Sequence, residues 1–65
     1  MADFKVVVEC RIPGQDEIHV LKVSADTRDD AALQAVYKAR EHWPEAQSVS
    51  FRRMIKMPEV QHHGG

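Results

Sequence analysis

Residues 4–12 alternate between apolar and polar side chains more regularly than any other part of the chain, and this alternation limits the fold most. The apolar set consists of Phe4, Val6, Val8, Cys10 and Ile12. The intervening set consists of Lys5, Val7, Glu9 and Arg11. A period of two is typical of a strand with one face in the core and the other towards solvent. The sequence therefore predicts a half-buried first strand.

A Pro13-Gly14 pair follows and predicts a hairpin. Proline fixes the first central dihedral of a type II turn, and glycine supplies the positive φ of the second. Residues 17–24 are rich in β-branched side chains and predict the second strand. Its phase is ambiguous, because Ile18 and Val20 favour one face while the following residues favour the other. A bulge near Val20 is the favoured explanation, and partial cover of both faces is the alternative.

One helix is predicted from Arg28 to about Trp43, where Pro44 ends it. Thr27 is a suitable N-cap with Asp30 three residues later, as in a capping box. The predicted apolar stripe is Ala32, Ala35, Val36, Ala39 and Trp43, flanked by Leu33 and Tyr37. Residues 47–57 predict a third strand, closed by Pro58. In it Phe51 points to the core, Ile55 and Met57 continue the same phase, and Arg53 does not fit.

These elements predict an α+β domain over residues 1–57, with residues 58–65 as a flexible C-terminal tail. A right-handed crossover through the helix makes the third strand antiparallel to the first. The first strand is the most apolar and belongs in the centre, which predicts a three-stranded antiparallel sheet of order 2-1-3 under one helix. Its other face is open. The side chains expected there are Lys5, Val7, Glu9, Arg11, Ser50, Arg52, Met54 and Lys56. This face and the two sheet edges are the predicted binding surfaces.

The size and charge of the chain exclude several classes of protein. A chain of 65 residues with one cysteine has a thin core and no intramolecular disulfide, so its stability relies on helix-on-sheet packing, on a partner, or on both. Nine basic and ten acidic residues argue against a nucleic-acid coat and against a global polyanion mimic. Residues 1–30 carry seven acids and four bases, and residues 31–65 carry three acids and five bases. This dipole favours an oriented encounter with a partner.

The sequence predicts no signal peptide and no membrane span, and its lone thiol predicts a reducing cytoplasm. A three-stranded sheet with one helix does not readily enclose a pocket, so no enzyme activity, cofactor or metal site is predicted. Cys10 beside a histidine would imitate a nucleophile pair, but its place on the apolar face favours a core residue. His19 and His42 are isolated, and His62-His63 falls in the predicted tail.

Three sets of residues are candidates for partner binding. Arg52, Arg53 and Lys56 form a basic strand that suits phosphates or a partner protein, the alternative being a solvated edge whose charges block aggregation. Asp26, Asp29 and Asp30 suit capping and the helix dipole, the alternative being an acidic patch that includes Asp16 and Glu17 if the hairpin end lies nearby. Trp43 is either a core residue or an exposed anchor at the helix exit.

The strand-strand-helix-strand layout, with Ala-Asp-Thr-Arg-Asp-Asp-Ala-Ala-Leu opening the helix, resembles small phage-encoded inhibitors of bacterial hosts. The similar groups are short phage inhibitors of RNA polymerase and type I anti-CRISPR proteins, and the resemblance covers residues 4–57 in layout. It implies a non-enzymatic inhibitor that binds a larger host protein or ribonucleoprotein complex in the bacterial cytoplasm, with anti-CRISPR slightly favoured. The alternatives are a small nucleic-acid-binding module that uses the basic strand, and a structural subunit that dimerises through an edge strand rather than remaining monomeric.

Overall fold

A computed structural model of the chain describes residues 1–58. The elements are β1 (Ala2–Ile12), β2 (Gln15–Ala25), α1 (Arg28–His42) and β3 (Ser48–Lys56). β1 pairs antiparallel with both other strands in the order β2-β1-β3, and α1 contacts all three strands. The predicted α+β class, element order and strand order are confirmed. The predicted tail lies outside the described residues except for Pro58. No helix in residues 1–58 is long and apolar enough to cross a membrane.

The hairpin between β1 and β2 has the predicted two-residue turn and a continuous register. Gly14 has a φ of 92°, the positive value that the second central position of a type II turn requires. The facing pairs run without interruption from Ile12 and Gln15 at the turn to Ala2 and Ala25 at the far end. The bulge predicted near Val20 is therefore wrong. β2 therefore keeps a single phase. Apolar side chains occur on both of its faces, and the helix covers only one of these faces.

A bulge does occur, but it lies in β3. Val7 faces Arg53 and Val8 faces Phe51, so that Arg52 is the extra residue between them. One extra residue in one strand changes which face the following side chains occupy. This explains why Arg53 did not fit the phase set by Phe51.

The bulge overturns three expectations for β3. Met54 faces Val6 and packs against the core, whereas it was expected on the open face. Ile55 was expected to continue the core phase, but it lies on the opposite face and is half exposed. Lys56 faces Phe4, on the helix side of the sheet, and not on the open face.

The core lies between the helix and one face of the sheet. Its nine buried residues are Phe4, Val6, Val8, Cys10, Val23, Ala25, Ala31, Ala35 and Ala39. The predicted core position of Cys10 is confirmed. The Thr27 hydroxyl oxygen accepts a hydrogen bond from the Asp30 backbone N–H at 3.1 Å, which confirms the predicted N-cap.

The helix is rotated relative to the predicted stripe. Ala31, Ala35 and Ala39 are the buried residues of α1, and they form a row at four-residue spacing. Ala32 and Val36 are only half-buried, and the flanking pair Leu33 and Tyr37 is exposed. A row of alanines lets the helix backbone approach the sheet closely, because no side chain on that row extends beyond Cβ.

Candidate functional site

The candidate site is the face of the sheet that α1 leaves uncovered, called the open face below. It consists of the odd-numbered residues of β1, the even-numbered residues of β2, and the β3 residues that face or flank them. The register arranges these side chains in rows across the three strands. One central row contains Val20, Val7 and Arg53. The next row contains Lys22, Lys5 and Ile55.

Apolar side chains occupy the middle of the open face. Val20 is 60% exposed, Ile18 is 57% exposed and Ile55 is 48% exposed. Val7 lies between the strands that carry them and is half-buried. Adjacent exposed apolar side chains are characteristic of surfaces that bind another molecule. Their burial on binding would supply a non-directional attraction proportional to the apolar area removed from water.

Basic side chains surround this apolar centre. Lys5 and Lys22 face each other directly across β1 and β2, and Arg53 lies in the adjacent row. Like charges that face each other across strands destabilise the sheet. Within residues 1–58, none of these three side chains has a carboxylate within salt-bridge distance. In residues 1–58 this face carries five basic and three acidic side chains, so its positive charge exceeds its negative charge.

Four other charged side chains of the open face form two ion pairs. Arg52 Nη1 lies 3.3 Å from Glu9 Oε1, and Arg11 Nε lies 3.7 Å from Asp16 Oδ1. Both pairs lie on the hairpin side of the apolar centre. Asp3 lies in the row beyond Lys5 and Lys22, where it accepts a hydrogen bond from the Ser24 hydroxyl at 2.6 Å, so the face carries both signs of charge. Its partner surface is therefore expected to be predominantly, but not uniformly, acidic.

The predicted basic strand is divided by the bulge. Arg52 and Arg53 both lie on the open face, the first bound to Glu9 and the second beside Val7. Lys56 faces Phe4 and lies on the other side of the sheet. The three residues therefore do not form one basic surface, and Arg53 is the member of the set that joins Lys5 and Lys22.

The predicted acidic residues are not brought together. Asp26, Asp29 and Asp30 lie at the helix start, where Asp26 is 3.9 Å from the N-terminal ammonium group. Asp16 and Glu17 lie at the other end of β2, ten residues or about 33 Å of strand away. The condition for including Asp16 and Glu17 in one acidic patch is therefore not met, because the hairpin end and the helix start lie at opposite ends of β2.

Trp43 lies at the edge of the core and is partly buried. Its ring stacks on His19 with centroids 3.9 Å apart and planes inclined by 15°. Glu17 Oε1 lies 3.0 Å from His19 Nε2, and the other oxygen of Glu17 accepts a hydrogen bond from Gln15 at 2.8 Å. These contacts fix the exit of the helix on β2, so Trp43 and Glu17 serve the fold.

Cys10 lies on the helix side of the sheet and has no exposed surface. Burial raises the pKa of its thiol, and the charges of Glu17 and Glu45 raise this pKa further. A nucleophilic cysteine acts as the thiolate, which this environment disfavours. Within residues 1–58, His, Cys, Asp and Glu side chains form no group of three that could hold a metal ion.

We expect the Cys10 thiol to react with a thiol-labelling reagent far more slowly in the native protein than in the urea-unfolded protein.

Because the pKa of the Cys10 thiol is raised in the folded protein, the contribution of this thiol to stability is complete below its unfolded pKa of about 8.5. That contribution is lost as the pH rises through the folded pKa. Urea titrations from pH 7 to pH 10 should show a steeper alkaline loss of stability in the wild type than in Cys10→Ala. Rapid native labelling, or equal slopes, would contradict this.

Three residues that are central to the open face were not predicted there from the sequence. Lys22 was not considered, and Ile18 and Val20 could not be assigned to a face because the phase of the second strand was ambiguous. The signal that finds them is the turn. A two-residue loop aligns Ile12 with Gln15, and counting backwards from that pair places Lys22 opposite Lys5.

The fold and this face define a small ββαβ α+β domain with one open, basic and apolar sheet surface. No protein-family model, curated protein or solved structure matches the chain. The geometry of the open face is therefore the basis for proposing a function.

Proposed function

We propose that this protein is a non-enzymatic inhibitor that binds a larger protein through its open face. The observation that carries the proposal is the direct opposition of Lys5 and Lys22, with Arg53 beside them and apolar side chains between. Charges of one sign that cost stability in the free protein gain a favourable role when an acidic surface covers them. The apolar centre would supply the affinity, and the basic side chains would supply orientation and selectivity.

A protein partner suits this face better than nucleic acid. Sheets that bind single-stranded RNA or DNA present aromatic rings on which bases stack. In the described part of the chain the open face carries no aromatic side chain, because the bulge leaves Phe51 on the helix side. Glu9 and Asp16 also place negative charge within the face, which disfavours a phosphate backbone but suits a protein surface of mixed charge.

The layout-level resemblance to phage inhibitors supplies the class of target. An inhibitor of this type would act in the bacterial cytoplasm by occupying a surface of a host nucleic-acid complex, either a CRISPR surveillance complex or RNA polymerase. Protein surfaces that surround nucleic-acid channels carry both acidic and basic patches. The open face would bind at an acidic patch, and this would prevent another molecule from binding there or block a conformational change of the complex.

Affinity capture with a matched pair of variants tests this proposal. Lys5→Glu with Lys22→Glu reverses the central charges of the open face, and the two glutamates still face each other. Arg28→Glu with Lys38→Glu makes the same change of net charge at exposed helix positions. The tagged proteins are applied to nuclease-treated bacterial lysate, and captured proteins are identified by mass spectrometry. We expect one host complex to bind the wild type and the helix variant, and the open-face variant to bind it about 10- to 100-fold more weakly.

The captured complex is then purified, and its activity is measured against increasing amounts of inhibitor. Inhibition that is complete near one equivalent, and lost in the open-face variant alone, supports the proposal. Equal binding by the two double variants would place the site elsewhere on the molecule. Capture from untreated lysate that is absent from nuclease-treated lysate would replace the protein partner with nucleic acid.

A further inference from the structure

The two edges of the sheet differ in how well they are protected. The β3 edge carries a bulge at Arg52 and further basic side chains, which are features that prevent another strand from adding. β2 has eleven residues without a bulge or a proline, and it is the terminal strand of the sheet that residues 1–58 form. Its exposed side chains include Ile18 and Val20. β2 is therefore the edge open to strand addition.

The hairpin register shows which backbone groups of β2 point outward. In an antiparallel ladder, facing pairs alternate between hydrogen-bonded and non-hydrogen-bonded. Ile12 and Gln15 flank the two-residue turn and form a hydrogen-bonded pair, so the odd-numbered residues of β2 bond to β1. The even-numbered residues direct their N–H and C=O groups to the free edge. Their side chains lie on the open face.

We infer that two copies of this chain associate antiparallel through β2, about a twofold axis at which His19 faces its counterpart. Ile18 of each copy then faces Val20 of the second copy, and Asp16 of each copy faces Lys22 of the second copy. Each of these pairs occurs twice by symmetry. All four residues of one copy have backbone groups on the free edge, so these facing pairs are also the pairs that exchange hydrogen bonds.

Neighbouring registers lack this complementarity. An axis at Val20 makes Ile18 face the charged Lys22 of the second copy, and an axis at Ile18 makes Asp16 face an apolar Val20. On the open face, only the axis at His19 joins apolar to apolar and opposite charges to each other. It also gives Lys22 an acidic neighbour, which offsets the repulsion from Lys5 within its own chain.

The resulting assembly is a six-stranded antiparallel sheet with the two β2 strands at its centre. Ile18 and Val20 of both copies form one apolar strip on a doubled open face, with an ion pair at each end. Lys5 on β1 and Arg53 on β3 lie outside the new interface and remain accessible to a partner protein. The dimer can therefore form whether or not the proposed inhibitor function is correct.

Sedimentation equilibrium of the purified protein, from about 5 to 500 µM, tests the association at the concentrations where small interfaces assemble. We expect a monomer–dimer equilibrium in the wild type. Asp16→Lys and Lys22→Asp should each weaken it at least about tenfold, because like charges then face each other. The charge-swapped double variant should recover the wild-type dissociation constant, because the opposite charges face each other again.

Two further variants test the apolar contact of the dimer instead of its ion pairs. Val20→Lys should abolish the dimer, whereas Ile55→Lys changes another exposed apolar residue of the open face, on β3, and should not. Far-UV circular dichroism establishes that each variant is folded. A wild type that stays monomeric throughout, a double variant no better than the single ones, or a dimer unaffected by Val20→Lys would each overturn the inference. Arg53→Glu separates the two proposals, because Arg53 lies on β3 away from the β2 edge, and its replacement should weaken partner capture without changing sedimentation.

Discussion

Phe4→Ala is expected to lower the free energy of unfolding by about 3–5 kcal/mol. Phe4 is 2% exposed, and every other buried residue of the described core is a valine, an alanine or the cysteine. These buried side chains are too short to fill the space that the ring would leave, so the substitution creates a cavity in the core. A 65-residue domain has a total stability of roughly 3–10 kcal/mol, of which this loss is a large part.

Phe51→Ala is the matched control, since it removes the same ring from a position that is 46% exposed. We expect it to cost about 1 kcal/mol, because roughly half of the ring is already in water. Urea denaturation followed by the fluorescence of Trp43, the single tryptophan, measures both variants with one probe. Equal losses for the two variants would show that Phe51 is as deeply packed as Phe4, and would contradict its half-exposed position.

The sequence was sufficient for the parts of the fold where one local signal has one interpretation. The alternation over residues 4–12 has a single phase, and this strand is the centre of the sheet. The Pro13-Gly14 turn permits one hairpin geometry, and Thr27 is an N-cap residue type followed by Asp30 three positions later. With these three points fixed, the crossover rule leaves the observed strand order as the consistent one.

The phases of the outer strands could not be predicted in the same way. An edge strand under a single helix can hold apolar side chains on both faces, so the pattern around Ile18 does not identify the buried side. The bulge at Arg52 has no marker in its own residues, because it depends on how β3 meets Val7 and Val8 of β1. Tertiary pairing therefore decided what local sequence left open.

About half of the candidate site could be predicted from the sequence. The open face was predicted to exist, with Lys5 and Val7 on it. The facing of Lys5 and Lys22 follows from the turn length by counting alone, and it is the observation on which the proposed function depends. Arg53 could not be assigned, since its side depends on the bulge.

Ala35→Leu is expected to lower the free energy of unfolding by about 1–3 kcal/mol. Ala35 is the middle residue of the buried alanine row and has no exposed surface. The row is smooth because each side chain ends at Cβ, which lets α1 lie close to β1. A leucine there must displace the helix from the sheet, and within residues 1–58 no second helix lies over the core that could move to accommodate it. Urea denaturation at pH 7 measures the loss.

Ala32→Leu distinguishes the observed row from the stripe that the helical pattern suggested. Ala32 is half-buried beside the row, so the leucine can extend along the helix surface, and we expect a change within about 1 kcal/mol. The intrinsic helix propensities of both variants are the same, which leaves packing as the difference between them. If Ala32→Leu were as costly as Ala35→Leu, the helix would have to be rotated by about one residue towards the predicted stripe. Leu33 and Tyr37 would then lie nearer the sheet, and the close approach of α1 to β1 would need another explanation.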